Sequence, residues 1–421
     1  VLTDAAAWAL DAADPLAAFS VEFHHPVDSG GRRLIYLAGH SLGLQPKTVA
    51  AQLQRELDEW RLKGVLGHHT AARPWIDYHE ALAPPLAALA GASAAEVVAM
   101  NSLTVNLHLM LVSFFRPVGG RTKILIEQGA FPSDRYAVAS QLAVHGLPPA
   151  DHLLEARPRP GERTLRTEDL LEAIETAGSS LALVLLPGVQ YLTGEALEVA
   201  PLIEAAHRVG ARVGLDLAHA IGNTHLALHD WNADFAVWCS YKYLNAGPGA
   251  IGGCFVHERH GDAALPRFAG WWGQRKDTRF AMGPDFEPIP GAEGWQVSNP
   301  PILATAPLIA SLDIFARAGF DRLRHKSRLL TGVFDRLVGQ RLAGRARVIT
   351  PDDPGRRGCQ LSIVVERDAA DARRVHQRLT GAGVIGDWRE PDTLRLAPVP
   401  LYTSFADVFD AVDALDRALR P

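Results

Sequence analysis

The sequence predicts an α/β protein, with a large, mostly parallel sheet flanked by helices and a smaller C-terminal α+β domain. Three observations carry that prediction. Between about Thr122 and Val256 short apolar runs alternate with stretches of helical periodicity; a Gly- and Pro-rich stretch from Phe280 to Pro301 interrupts the pattern; and helical patterning resumes beyond it. With 421 residues, 48% of them hydrophobic and 21% charged, the chain is long enough to bury one large core and an attached smaller one. A disordered or fibrous protein is excluded.

Taken in order, Val1 to Leu10 carries Asp4 where a secretory signal places basic residues and lacks a small-residue cleavage site, so a cytoplasmic location is expected. The apolar window Val97 to Phe115 is interrupted by Asn101, Ser102, Thr104, Asn106 and His108, each costly in lipid, so no membrane span is expected there. Strands are predicted over Lys123 to Glu127, Leu181 to Leu186, Arg212 to Leu217, Phe235 to Cys239 and Ile251 to Val256. All are short and apolar, as parallel strands buried on both faces are. Val199, Leu202, Ile203 and Ala206 recur at helical spacing within Glu198 to Val209, and Gly210 supplies the stop. Further on, Leu303 to Arg317, Arg322 to Gln340 and Phe405 to Leu419 read as helices, and Gln360 to Val365 and Thr393 to Leu396 as strands. The resulting division is an N-terminal segment 1–75 packing on both domains, a large domain 76–300 and a small domain 301–421.

The charge excludes one class of partner. Lys and Arg number 42 against 47 Asp and Glu, a formal net charge of −5, and no long basic run could neutralise a row of phosphates, so nucleic acid is not an expected partner. The three cysteines, Cys239, Cys254 and Cys359, are too few and scattered for a disulfide framework or a Cys-rich zinc site, which fits a reducing compartment.

Four constellations bear chemistry. Gly39-His40-Ser41-Leu42-Gly43 matches the G-x-S-x-G nucleophile elbow, but too little chain precedes Ser41 to build the sheet an esterase serine crowns, and a Gly-rich turn explains it better. Gly247-Pro248-Gly249-Ala250-Ile251-Gly252 has the spacing of a dinucleotide fingerprint, yet it runs into a strand rather than opening a helix, so a tight turn is expected. Asp216, His219, His225 and His229 form a possible metal-ligand set, although no H-E-x-x-H helix fixes their geometry; partly exposed histidines are the plainer reading. Finally, Asp216 and Lys242 each follow a predicted parallel strand, at the carboxyl edge where α/β folds place ligands. Pyridoxal phosphate needs such a pair: an amine for a Schiff base, and a carboxylate to keep the pyridine nitrogen protonated. A structural ion pair is the alternative, and the neighbouring residues decide between them.

Those neighbours resemble the kynureninase family, pyridoxal-phosphate enzymes of the aspartate-aminotransferase superfamily and fold type I. The resemblance rests on Asp216-Leu217-Ala218-His219-Ala220 and on Trp238-Cys239-Ser240-Tyr241-Lys242-Tyr243-Leu244-Asn245-Ala246-Gly247. It extends through Tyr36 to Gly43, Arg73-Pro74-Trp75, Leu103 to His108, Phe131-Pro132-Ser133-Asp134, Gly270-Trp271-Trp272-Gly273, Ser298-Asn299-Pro300-Pro301, Gly386 to Pro391 and Pro398 to Tyr402.

The resemblance implies roles. Lys242 carries the cofactor as a Schiff base and moves protons, with Tyr241 assisting; Asp216 pairs with the pyridinium, with His219 close by; Phe131 stacks on the ring. Leu103, Thr104 and Tyr241 reach the phosphate, and Ser133 and Asp134 lie in the same cofactor loop. Trp271 and Asn299 arrive from a second subunit, so the sites are shared across a homodimer. Arg395 holds the substrate α-carboxylate, and His68, Ser298 and Asn299 meet the substrate ring, favouring 3-hydroxykynurenine. The implied reaction, in tryptophan catabolism and NAD biosynthesis, is hydrolysis of the Cβ–Cγ bond of L-kynurenine or its 3-hydroxy form to L-alanine and anthranilate or 3-hydroxyanthranilate. Four positions depart from the family pattern: His40 where many relatives have Asn, Pro187 where a hydroxyl residue is common, Trp272 where Phe is frequent, and Gln274 in place of His. They raise the alternative of a ring-substituted, for example methylated, substrate in secondary metabolism. More remote alternatives are another fold type I lyase or aminotransferase and a metal-dependent hydrolase.

Overall fold

The computed structural model describes residues 4–262 and 264–420; residues 1–3 of the N-terminal stretch considered above lie outside them. Thirteen strands occur among the described residues. In chain order they are β1 (Ile35–Tyr36), β2 (Val97–Ala99), β3 (Lys123–Glu127), β4 (Leu153–Ala156), β5 (Leu181–Pro187), β6 (Arg212–Asp216), β7 (Phe235–Trp238), β8 (Gly253–Val256), β9 (Ala346–Val348), β10 (Leu361–Val365), β11 (Val384–Ile385), β12 (Asp387–Arg389) and β13 (Thr393–Leu396).

Seven of these form the central sheet, in the order β2-β8-β7-β6-β5-β3-β4. The run from β4 through β3, β5, β6 and β7 is parallel. The sheet is mostly parallel, as expected, with one strand reversed. β8 is antiparallel to both β7 and β2, because Gly247 and Gly249, at φ 83° and 73°, turn the chain straight back instead of launching a crossover helix. That turn is also the outcome for the G-x-G-x-x-G segment.

Helices cover both faces of this sheet. Leu125, Val184, Leu215 and Ala236 face one apolar cluster, and Ile124, Leu183, Phe235 and Val237 face the other. Alternate residues of each strand therefore serve opposite cores, which is why the strands read as unbroken apolar runs. The helix Val199–Arg208 buries Val199, Leu202, Ile203 and Ala206 as its periodicity predicts.

Beyond the 3-10 turns of the Gly/Pro stretch come the helices Ile302–Ala318 and Phe320–Arg341, then a second, four-stranded sheet of order β12-β13-β10-β9, backed by Ala369–Gly381 and Phe405–Ala418. A third cluster, including Leu330, Phe334, Leu361, Ile363 and Leu415, fills it. β1 pairs in parallel with β11, joining the N-terminal segment to this C-terminal part. No single helix among the described residues is long and apolar enough to cross a membrane.

Candidate active site

Parallel strands expose their carboxyl ends on one edge, and on that edge this chain gathers its reactive groups. Glu127 ends β3, Pro187 ends β5 and Asp216 ends β6, while Lys242 follows β7. Register fixes their alignment: Asp216 lies opposite Pro187 on one side and Val237 on the other. The helix Leu103–Phe114 points its N-terminus at the same edge. Gly252 lets that terminus approach, since a Cβ there would stand 2.9 Å from the Trp238 carbonyl oxygen and 3.2 Å from the Leu103 nitrogen. Together these elements enclose a cavity of about 210 Å³ lined by Leu103, Thr104, Glu127, Phe131, Ser133, Asp134, Pro187, Val189, Tyr191, Asp216, Ala218, His219, Tyr241 and Lys242.

Within it, Lys242 Nζ lies 3.0 Å from His219 Nε2, and 5.8 and 5.9 Å from the ring centres of Phe131 and Tyr241. An Asp216 oxygen accepts the Ala218 N–H at 2.6 Å, which fixes that carboxylate. Burial, helped by the positive charges of Lys242 and Arg395, holds His219 well below the ordinary histidine range, so its ring is neutral beside the lysine. Burial also pushes the Asp134 carboxyl well above its usual range, with the neighbouring charge of Asp216 adding to it, and raises Glu127 to about 8. Three carboxyl groups thus share one pocket, two of them inclined to stay protonated.

The Gly39 to Gly43 segment packs against the Tyr241–Asn245 turn rather than forming a nucleophile elbow. The Gly43 N–H donates to the Tyr241 carbonyl at 2.8 Å, and a Cβ on Gly43 would collide with the Lys242 carbonyl and the Asn245 side chain. Ser41 Oγ points to Asp387, at 3.4 Å.

The four-residue metal set does not assemble. His229 is bonded to Glu96 at 3.0 Å and stacks on His257, and His225 lies 3.6 Å from Asp321, so only Asp216 and His219 remain at the cavity.

Arg395 is 1% exposed; its Nη1 donates to the Tyr191 carbonyl at 2.8 Å and its Nη2 contacts Asp387. Arg395 is not among the lining residues, and the expected substrate residues His68, Ser298 and Asn299 and the expected cofactor residue Trp271 also stand apart from the cavity. His68 packs edge-on against Trp75 at 5.5 Å, Ser298 and Asn299 are exposed, and Trp271, 46% exposed, packs on Phe280. Pro187 lines the cavity without a donor, while Gln274 spends its amide within its own loop, on Thr278 and the Glu287 N–H. Trp272 is buried beneath the Arg279 guanidinium. Sequence reasoning missed Glu127, Tyr191 and Asp387. For Glu127 a signal existed, as an acid closing an apolar strand.

The lining fits pyridoxal phosphate. It offers an amine, an acid aligned with it, an aromatic face and the N-terminus of a twelve-residue helix for a phosphate. Three buried polar atoms of the lining, His219 Nδ1, Glu127 Oε2 and Asp134 Oδ1, lack hydrogen-bond partners, as expected of a cavity built around a polar guest.

Comparison with known proteins agrees. Residues 35–366 match the aminotransferase class-V family and residues 323–415 match the kynureninase C-terminal domain. The chain is 55% identical to a kynureninase of Koribacter versatilis over 95% of this chain and 94% of that one. It is 53% identical to a kynureninase of Myxococcus xanthus, over 98% and 96%. Among solved structures, the cysteine desulfurase CsdA from Escherichia coli superposes with a TM-score of 0.77 at 19% identity, covering 96% of this chain and 98% of that one, and so shares the fold. With more than half of all positions shared along nearly its whole length, the chain belongs to the kynureninase family.

Proposed function

We propose that this protein is a pyridoxal-phosphate-dependent hydrolase that cleaves the Cβ–Cγ bond of L-kynurenine or 3-hydroxy-L-kynurenine, releasing L-alanine and anthranilate or 3-hydroxyanthranilate in tryptophan catabolism. The observation that carries the reading is the Lys242 amine, set 3.0 Å from a neutral buried His219 in a cavity that Asp216 also lines, in a chain 55% identical to a named kynureninase. A ring-methylated substrate is not favoured, because the relatives that match nearly end to end are named plainly as kynureninases.

When bound, the cofactor withdraws electrons from the substrate carbon next to its amine. The protein's residues do the rest. Lys242 would hold the cofactor through its Nζ, the same atom that is placed to carry protons. Neutral His219 accepts a hydrogen bond from Nζ and orients it. Asp216 would pair with the pyridine nitrogen, Phe131 would cover the ring, and Ser133 and Asp134, whose carboxyl burial keeps protonated, would border it. Amides of Leu103 and Thr104, the Thr104 hydroxyl and the Tyr241 phenol would receive the phosphate. Arg395 receives the substrate carboxylate.

His68, Ser298, Asn299 and Trp271 meet substrate and cofactor across a homodimer interface; their separation from the cavity within one chain supports that reading. In it the segment 1–75 bridges a cofactor-binding domain, 76–300, and a small domain, 301–421, and the enzyme works in the cytoplasm.

The test is product analysis. Incubated with either substrate, the holoenzyme yields alanine and the matching anthranilate in equal amounts, and borohydride fixes the cofactor on a peptide containing Lys242. Release of a keto acid instead, or label on another lysine, refutes the assignment.

A further inference from the structure

Asp387 and Arg395 are register partners on β12 and β13, and Arg389 shares the Asp387 face of β12, two residues on. Asp387 Oδ2 contacts Arg395 Nη2 and lies 3.0 Å from Arg389 Nη2, so one carboxylate serves two guanidinium groups. The surroundings are unequal. The Arg395 side chain is 2% exposed and that of Asp387 19%, so the anion lies nearer the solvent than the cation it neutralises. The Nε atoms of both arginines are buried with no acceptor, which leaves each fork a free donor. Neutral groups wait beside the carboxylate: Ser41 Oγ at 3.4 Å, and His40 Nε2 at 3.6 Å on a fully buried ring whose two nitrogens have no hydrogen-bond partner.

Two cations and one anion make a site that is balanced only when a second carboxylate enters. We propose that Asp387 is a resident carboxylate on Arg395, a positioning residue that yields that guanidinium to the carboxylate of an incoming amino acid and passes to Arg389, His40 and Ser41. This rests on the reading above, in which Arg395 receives the substrate carboxylate. The device keeps a buried guanidinium neutralised between turnovers. It also rejects amines without a carboxylate, which cannot replace Asp387.

The experiment titrates holoenzyme with L-alanine, the amino-acid product, and follows the visible absorbance of the cofactor. Asp387→Asn removes the competitor, and alanine binding tightens roughly tenfold. Arg389→Gln removes the acceptor of the displaced carboxylate, and binding weakens by a similar factor. In the double variant the Arg389 effect vanishes, and affinity matches that of Asp387→Asn. KM for kynurenine moves in the same directions. Weaker binding in Asp387→Asn, or an Arg389 effect that persists without Asp387, identifies Asp387 as a fixed strut and overturns the proposal. A wild-type enzyme that leaves kynurenine intact overturns the functional reading as well, whereas an active wild type with weakened Asp387→Asn overturns only the Asp387 assignment.

Discussion

The cofactor wall and the loops proposed to meet the substrate are built by opposite means. Glu127 and Asp216 end strands locked by parallel pairing and buried on both faces, and Lys242 lies in the turn that follows β7, all three lining one cavity. His68, Trp271, Ser298 and Asn299 sit on short turns and loops at or near the surface, away from it. The difference teaches that one chain suffices to build the cofactor cavity, whereas under the proposed function ring recognition would depend on loops that a second copy brings into place. Chemistry would then be tied to the rigid edge of a sheet, and specificity to an assembly.

The strongest test of the rigid half is Lys242→Ala, expected to lower kcat about a thousandfold or more and to abolish the borohydride-stable label while the far-ultraviolet spectrum is preserved. Substantial residual turnover would show that the wall does not depend on its amine. The assembled half is tested by mixing two inactive variants, Lys242→Ala and Asn299→Ala. Hybrid dimers keep one intact site, so subunit exchange restores about a quarter of wild-type activity. No recovery would return the site to a single chain. A smaller effect is expected from His68→Ala, which should cut kcat/KM for 3-hydroxykynurenine roughly tenfold while sparing kynurenine, as loss of one polar partner does. Equal losses on both substrates would remove His68 from ring recognition.

The last prediction concerns pH. Glu127 titrates near 8 in the folded protein, above the ordinary glutamate value near 4.3, so the unfolded chain binds fewer protons between those limits. Its contribution to stability is therefore full below about pH 4 and declines as pH rises toward 8. Glu127→Gln abolishes that decline and is expected to be more stable than wild type at pH 8 by roughly 1–3 kcal/mol, read by denaturant unfolding at pH 5 and pH 8. An unchanged pH slope would mean that Glu127 is already ionised in the pocket.

Much of this was legible beforehand. β3 and β13 have the bounds that their apolar runs predict, and Asp216 and Lys242 lie on the carboxyl edge that strand patterning assigns them. β2 escaped because three residues, Val97–Ala99, merge into the apolar run that continues as a helix, and β4 because Leu153–Ala156 is only partly buried at the sheet's margin. The direction of β8 depended on left-handed glycines rather than on periodicity. Asp387 was invisible for a different reason. Its significance lies in a partner across the sheet, and no local pattern records which arginine a carboxylate will meet.

The Gly43 contact has a practical corollary. The same short stretch that adds β1 to β11 also presses on the backbone of the reactive lysine, so the N-terminal strap and the amine are mechanically one part. Any side chain added at Gly43 would therefore push the strap off the Lys242 carbonyl, and Gly43→Ala should disturb the lysine's backbone without touching any group that meets the substrate.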